Sequence, residues 1–482
     1  MKKIFTLFIF AGVASSFFAQ TFNISEEIGT PGAYGNYHPQ IEITNDALPG
    51  ILWSSTSLDN IYFAKHNGVD DFNTPVQVNP TGTSTQVYNW SGPDLASWGD
   101  NLYVTYKAAG YMTGPIYLVK STDNGISFGD TVRVDNLSVG FANYPDVAVY
   151  NDTVFVTFMD HDATGMDPQY VVARSTDGGA TFGAAVDAGV LLGDEACDCC
   201  QPEIVANDKY VIMYFRNNAS NIRDIKAVVS YDRGASFTNV ISVDDHLWGI
   251  MSCPSTGPDA RIQGDTMISV YKSEVGGDAK IYLNEFDLAL DSSLNTIELS
   301  VGSLGNANYP QVAYSGSNMG AVWESLDNST DIFFNWSTSG ASGFNSTNII
   351  NVTDTSGVQS KPDITYGNGV YHVIWSEGGS GGVKYVQIGE GVNVTENILE
   401  NAIHLFPNPV DDLLNIQMDL PYAGIATLNL VDLQGKLVTT KKISVVENTN
   451  KSMLNLSGLS TGSYFIEIQF DGYSWTEELI KK

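Results

Sequence analysis

Hydrophobic and polar positions alternate along most of this chain in short runs, separated by clusters of Gly, Asn, Asp and Pro. TVFVTF at 153–158 and YVVARS at 170–175 are typical, rich in β-branched and aromatic residues. A period of two with that composition predicts half-buried strands. Around residue 150 the grammar is a strand over Asp146–Tyr150, a turn, a strand over Thr153–Phe158, a loop, a strand over Tyr170–Ser175, then a glycine turn into a short fourth strand.

This unit repeats. A Pro followed by Asp, Glu or Gln and then an apolar residue occurs at Pro39, Pro93, Pro145, Pro202, Pro258, Pro310 and Pro362, at intervals of 52–57 residues. A period of about 50 residues with four short strands per unit is the signature of a propeller blade. Isolated blades cannot bury both faces, so they must stack. The expected fold class is all-β: a seven-bladed β-propeller over 21–397, then a small β-sandwich over 398–482. The last unit, from Lys361 to about Asn397, is the shortest. Phe22–Ile28 reads as a displaced fourth strand, expected to complete that blade and remove an open edge.

The glycine turns carry a motif of their own. STDNGISF at 121–128, STDGGATF at 175–182 and SYDRGASF at 230–237 share one pattern, and STSGASGF at 337–344 is a degraded copy. On these residues the chain resembles the BNR/Asp-box sialidase-like superfamily. Asp123, Asp177 and Asp232 are expected to bind backbone N–H groups of the turn, with glycine supplying positive φ. Their role is structural, and the closing Phe is expected to pack between blades.

The tail reads FPNP at 406–409, DDLLNI at 411–416, DLQGKLV at 432–438 and LNLSGLSTGSYFIEI at 454–468. It resembles a type IX secretion (type A) C-terminal sorting domain, which implies recognition by that secretion machinery and translocation across the outer membrane. The other end agrees. Lys2 and Lys3, the apolar run Ile4 to Val13, and the small residues from Ala14 to Gln20 predict a signal peptide over 1–20. The expected destination is the medium or the cell surface, reached through the periplasm and outer membrane. No later stretch is apolar for long enough to predict a transmembrane segment. The net charge of −31 disfavours nucleic acid and anionic membranes as partners.

Candidate chemistry falls on the loops before the first strands and between second and third strands, which share one face of a propeller. The first set contributes His38, Trp90, Tyr144, Trp248 and Tyr309 as candidate ligand-binding residues, with Lys361 and His246 beside them. The second contributes Asp160, Arg216, Arg223, Asp224 and Glu324 as catalytic candidates, with Lys107, His161, Asp162, Lys272 and Glu377. Aromatic, cationic and carboxylate groups concentrated in this way make that face the default binding site.

All four cysteines belong to the same face. Cys197, Cys199 and Cys200 precede the fourth unit and Cys253 the fifth, so neighbouring units bring their sulfurs together. Adjacent Cys199 and Cys200 are too close to pair well, about 3.8 Å between Cα atoms. One bridge is therefore expected from Cys199 or Cys200 to Cys253, leaving Cys197 for the other. The alternative is a thiolate site for zinc or cuprous copper, with no other cofactor expected. EACDCCQPEIV, YFRNNASNIRDIK and LWGIMSCPSTGP resemble a subgroup of BNR-repeat proteins with a Cys-x-Cys-Cys motif, a sequence pattern without an activity attached.

A sialidase of the superfamily has six blades, an arginine triad, a Tyr nucleophile paired with Glu, and an Asp acid/base. This chain has seven repeats, reads Tyr37-His38-Pro39-Gln40 where Arg-Ile-Pro belongs, and has six arginines in all: Arg133, Arg174, Arg216, Arg223, Arg233 and Arg261. Arg216 and Arg223 could still form a bidentate carboxylate clamp. Three readings follow: a binding module for an extracellular glycan, a glycoside hydrolase or lyase using paired carboxylates, and a metal or redox protein built on the cysteines.

Overall fold

The computed structural model describes 26–28 and 36–482, apart from 56–58, 69–70, 88–90, 137–139, 163, 166–167, 190–195, 302–305, 327–329, 347–348, 354–357, 379–381, 390–402, 421–423, 433–435, 447 and 471–472. The leader predicted at 1–20 and the candidate Trp90 lie outside the described residues. The chain is all-β and separates into two compact units, one within Phe22–Glu390 and one within Gly391–Lys482.

The larger unit contains seven four-stranded antiparallel sheets among its described residues. The third shows the pattern: Phe141–Tyr150, Thr153–His161, Gln169–Ser175 and Val186–Asp187, in sequence order. The others start at Asn36–Ile43, Asp94–Trp98, Glu203–Ala206, Asp259–Gln263, Asn306–Ser315 and Gln359–Gly367. The seventh has three strands from its own repeat, and its fourth is Glu26–Ile28, with Glu26 opposite Tyr385 and Ile28 opposite Val383. Each first strand packs against the first strand of the next sheet, and Gln359–Gly367 packs against Asn36–Ile43.

The first strands of the first, third, sixth and seventh sheets begin upstream of the repeated proline, earlier than alternation indicates. The ladder crosses the Pro by a bulge. Tyr144 and Pro145 together face Phe158, between the pairs Asn143–Met159 and Asp146–Thr157. Equivalent register shifts flank Pro39, Pro310 and Pro362. Proline has no N–H to give the ladder, so an extra residue absorbs the mismatch. That residue is His38, Tyr144, Tyr309 or Lys361, each left-handed with φ between 46° and 57°. Non-glycine residues adopt this conformation at a cost.

The residue after the proline explains the repeat. Asp94 Oδ2 accepts the N–H of Val147 (3.0 Å), Asp146 that of Ile204 (2.6 Å), Asp259 that of Val312 (2.6 Å) and Asp363 that of Ile41 (2.7 Å). In every repeat that reads Pro-Asp, the carboxylate thus bonds the apolar residue of the next repeat's Pro-x-apolar triplet. Asp363 to Ile41 joins the last repeat to the first. Apolar cores fill the spaces between neighbouring sheets. One combines Tyr144, Phe155, Met159 and Tyr170 of the third with Ile204, Met213 and Phe215 of the fourth.

At the glycine turns, Asp123 Oδ1 accepts the Ser127 N–H (2.9 Å), and the Ser121 hydroxyl both donates to Asp123 (2.7 Å) and accepts the Gly125 N–H (2.9 Å). Asp177 and Asp232 repeat these bonds with Ser175 and Thr181, and with Ser230 and Ser236. The hydrogen bonds hold both carboxyls down at about 2. Gly125 sits at φ 85°, and a Cβ there would lie 2.2 Å from Phe63 Cε1 of the preceding sheet. Phe128 packs edge-on against the same ring at 5.6 Å.

The C-terminal unit has a three-stranded sheet (Ile403–Phe406, Leu413–Leu420, Asn448–Asn455) and a four-stranded one (Leu437–Val445, Gly424–Asp432, Gly462–Phe470, Tyr473–Lys481). Both contribute to one core, with Leu414, Ile416 and Met418 facing Leu428, Leu430, Ile466 and Ile468.

Asp363→Ala strips the Ile41 N–H of its acceptor where water cannot replace it. It is expected to lower the unfolding free energy by about 1–3 kcal/mol, and Asp363→Asn, which keeps an acceptor, by less. Urea unfolding of the purified chain measures both.

Candidate functional site

The seven prolines converge on a cavity of about 290 Å³. Its walls carry the carboxyls of Glu42, Asp94, Asp146, Glu203, Asp259 and Asp363, with Arg261 among them. Arg261 Nη1 is 2.8 Å from Asp259 and 3.7 Å from Glu203. Burial pushes all six carboxyls up, Asp363 to about 8, and Arg261 pulls against it at Glu42, Glu203, Asp259 and Asp363. Around the Arg261 guanidinium the six acids are shifted toward their protonated forms, because the cavity solvates charge poorly. The repeated triplet is visible in the sequence, but the inward direction of its acid is not.

His38, Tyr309 and Lys361, three of the left-handed residues, also line this cavity. Tyr309 and Lys361 meet Glu324 of the sixth sheet's second strand. Glu324 Oε2 accepts the Lys361 N–H (3.1 Å), Asn308 Nδ2 donates to Oε1 (3.4 Å), and Lys361 Nζ lies 5.1 Å from the centre of the Tyr309 ring. Burial raises the Glu324 carboxyl, lowers the Lys361 ammonium, and raises the Tyr309 hydroxyl, which the charges of Glu324 and Cys200 raise further.

The two arginines expected to form a clamp have different surroundings. Arg216 is fully buried and gives its donors to backbone carbonyls: Nε to Thr256 (3.1 Å), Nη1 to Arg223 (2.6 Å) and Nη2 to Lys272 (3.1 Å). Those bonds hold neighbouring loops together, and they correct the expectation of a two-arginine clamp. Arg223 is almost as buried, yet its Nε and Nη1 have no hydrogen-bond partner among the described residues.

Trp248 is buried too, with the Arg216 guanidinium 5.2 Å and Lys272 Nζ 6.0 Å from its ring. The Trp248 backbone N–H donates to Asp224 Oδ1 (3.0 Å), whose carboxyl is raised by burial and then by Asp244. Tyr144 and His38 are buried as well. None of these three rings is an open stacking platform; among the described candidates Tyr309 retains partial exposure.

Asp160 is half-exposed and rises to about 6 through burial and the nearby Asp135. Lys107, pushed down to about 8, donates to Gly114 O and Ala142 O. Glu377 accepts from Gln359 and Trp375. His161 stacks on Phe141, while His246 bonds Asp244 at 2.6 Å, a pairing the sequence reading missed.

The four cysteines converge, with all Sγ atoms within 4.8 Å of one another. Cys199 is bonded to Cys253, one of the two bridges left open by spacing. Cys197 and Cys200 are free thiols 3.0 Å apart. Soft thiolates so placed fit a thiophilic cation only if the disulfide is reduced. The second cation-capable group, Asp244, Asp245 and His246, shares no residue with the first.

Residues 404–482 match the family described as Secretion system C-terminal sorting domain. The tail marks the chain for type IX secretion, to the cell surface or the extracellular space. No helix among the described residues is long and apolar enough to cross a membrane. No curated protein matches the chain. Among solved structures, a polysaccharide lyase is similar at TM-score 0.47 and 10% identity, covering 75% of this chain and 91% of that one. A protein of unknown function from Dyadobacter fermentans has TM-score 0.46 and 12% identity, over 66% of this chain and 98% of that one. A Trypanosoma rangeli sialidase has TM-score 0.44 and 12% identity, over 95% and 87%.

Arg216→Met removes three donors from buried carbonyls and is expected to cost about 3 kcal/mol or more. Arg223→Met removes a buried charge without described partners, and is expected to leave stability unchanged or raise it by about 1 kcal/mol. Paired denaturation curves distinguish the two roles.

Proposed function

We propose that this chain is a secreted seven-bladed β-propeller over 21–397 that recognises or processes an extracellular glycan, followed by a β-sandwich over 398–482 that the type IX secretion machinery reads. In this reading a signal peptide over 1–20 delivers it to the periplasm, and the sorting domain carries it across the outer membrane. The seven sheets, the pairing of Glu26–Ile28 with the last repeat and the packing of seventh against first support a closed ring.

The observation that carries the function is the Glu324–Tyr309–Lys361 cluster. An acid, a phenol and an amine, all with shifted protonation, adjoin the cavity where the sheets converge. Perturbed titratable groups gathered at a cleft mark functional sites more often than structural ones. Tyr309 offers a partly exposed ring to a sugar face and Lys361 a cation to its oxygens.

Turnover is the second reading, and the raised carboxyl of Glu324 favours it. A carboxyl that keeps its proton to higher pH is suited to protonating a leaving oxygen. Asp160 of the third sheet, raised to about 6 by burial and Asp135, is the other carboxyl to test in this reading.

The test is a glycan panel presented to the secreted chain, scored for retention and for newly released sugar ends. Lys361→Ala is expected to weaken retention of the bound glycan by roughly tenfold. If the chain turns its ligand over, Glu324→Gln is expected to slow release by about 10²–10⁴-fold while retention persists. Retention of no glycan at millimolar concentration would remove the glycan assignment.

A further inference from the structure

We propose that the four cysteines form an internal thiol–disulfide relay, in which the buried Cys197/Cys200 pair takes over the disulfide held by Cys199 and Cys253. This goes beyond the glycan reading and does not depend on it.

The sulfur positions carry the inference. Cys197 Sγ is 3.0 Å from Cys200 Sγ and 3.6 Å from Cys199 Sγ, and Cys199 is bonded to Cys253. One free thiol therefore adjoins both its dithiol partner and a sulfur of the standing disulfide. The segment is held in place: the Tyr170 hydroxyl donates to the carbonyls of Cys197 (2.9 Å) and Cys200 (2.8 Å), and the Cys197 N–H donates to Arg216 O (3.0 Å). Cys197 is also the more acidic thiol: the hydrogen bond with Cys200, then the charges of Arg223 and Arg216, bring it down despite burial, while burial pushes Cys200 up. The more acidic thiol is the natural attacker and its partner the natural resolver.

The exchange balances without an outside oxidant. Cys197 thiolate attacks Cys199 Sγ; the 197–199 bond forms, the 199–253 bond breaks, and the electron pair leaves on Cys253 Sγ, which takes a proton from water. Cys200 then attacks Cys197 Sγ, forming 197–200 and expelling Cys199, to which the Cys200 proton passes. One disulfide and two thiols are present before and after.

The outcome is a change of place. Cys197 and Cys200 are fully buried, whereas Cys253 is exposed and Cys199 half-exposed. Exchange would bury the disulfide and expose the thiols. It also releases the link between the segments that lead into the fourth and fifth sheets. The second segment carries Trp248 and Thr256, which pack on and accept from Arg216. The wall beside Arg223 and Tyr309 would then answer to the thiol status of the surroundings.

The experiment is slow alkylation of the native secreted protein with iodoacetamide, followed by acid quench and disulfide mapping by mass spectrometry. Exchange predicts label on Cys199 and Cys253 and a residual Cys197–Cys200 disulfide. Cys197→Ser is expected to slow labelling of Cys253 by roughly tenfold or more. Cys200→Ser is expected to stop at the first step, giving a Cys197–Cys199 disulfide with label on Cys253; this arm holds even if Cys197→Ser does not fold. Label confined to Cys197 and Cys200, two disulfides with no thiol, or stoichiometric zinc or copper would each overturn the relay.

Discussion

A carboxylate that reaches from one sheet to the backbone of the next is the bond on which this architecture turns. Asp94, Asp146, Asp259 and Asp363 each satisfy an N–H that lies just past a proline, and at Pro39, Pro145 and Pro310 the strand also bulges. A buried N–H left without an acceptor costs about 1–3 kcal/mol, and these four bonds remove that cost. Because the residues bonded belong to consecutive repeats, the same interaction that ends one sheet locates the next. The Asp363–Ile41 bond applies that rule across the ends of the repeat series.

The arrangement has an electrostatic consequence. Carboxylates placed near a common cavity desolvate one another's surroundings, and Arg261 is the cation among them. Their protonation is therefore shifted up, while the carboxylates of the glycine turns, exposed and hydrogen-bonded, are shifted down. The same residue type thus takes two opposite roles, decided by solvent access and the count of donors. The same desolvation reaches Glu324, Lys361 and Tyr309, and it is what distinguishes them from the ordinary charged residues of the surface.

The bulges matter to the site as well as to the sheets. Each forces a residue into the left-handed region, and His38, Tyr309 and Lys361 are therefore presented at the cavity by strained backbone. The second strand of the sixth sheet brings Glu324 to Lys361. In the segments that lead into the fourth and fifth sheets, four sulfurs come within reach of one another.

Periodicity, turn chemistry and spacing determined the all-β class, the seven repeats, the turn aspartates and the neighbourhood of the cysteines, while the sorting tail was legible through its resemblance to a known family. The first four features are local or strictly repeated, so alternation, turn chemistry and interval carry them. In four sheets the first strand starts earlier than alternation predicts, because a bulged ladder continues through a proline that reads as a break. Which loop residues lose their water could not be read from the chain. Arg216 and Arg223 stand seven residues apart in similar surroundings of sequence, yet one bonds three carbonyls and the other retains open donors. Trp248 and Tyr144 look like exposed aromatics and are buried, and Cys199 rather than Cys200 reaches Cys253. Each of these depends on what the neighbouring sheet places opposite the residue, fifty or more positions away, and burial and side-chain direction exist only once the sheets have packed.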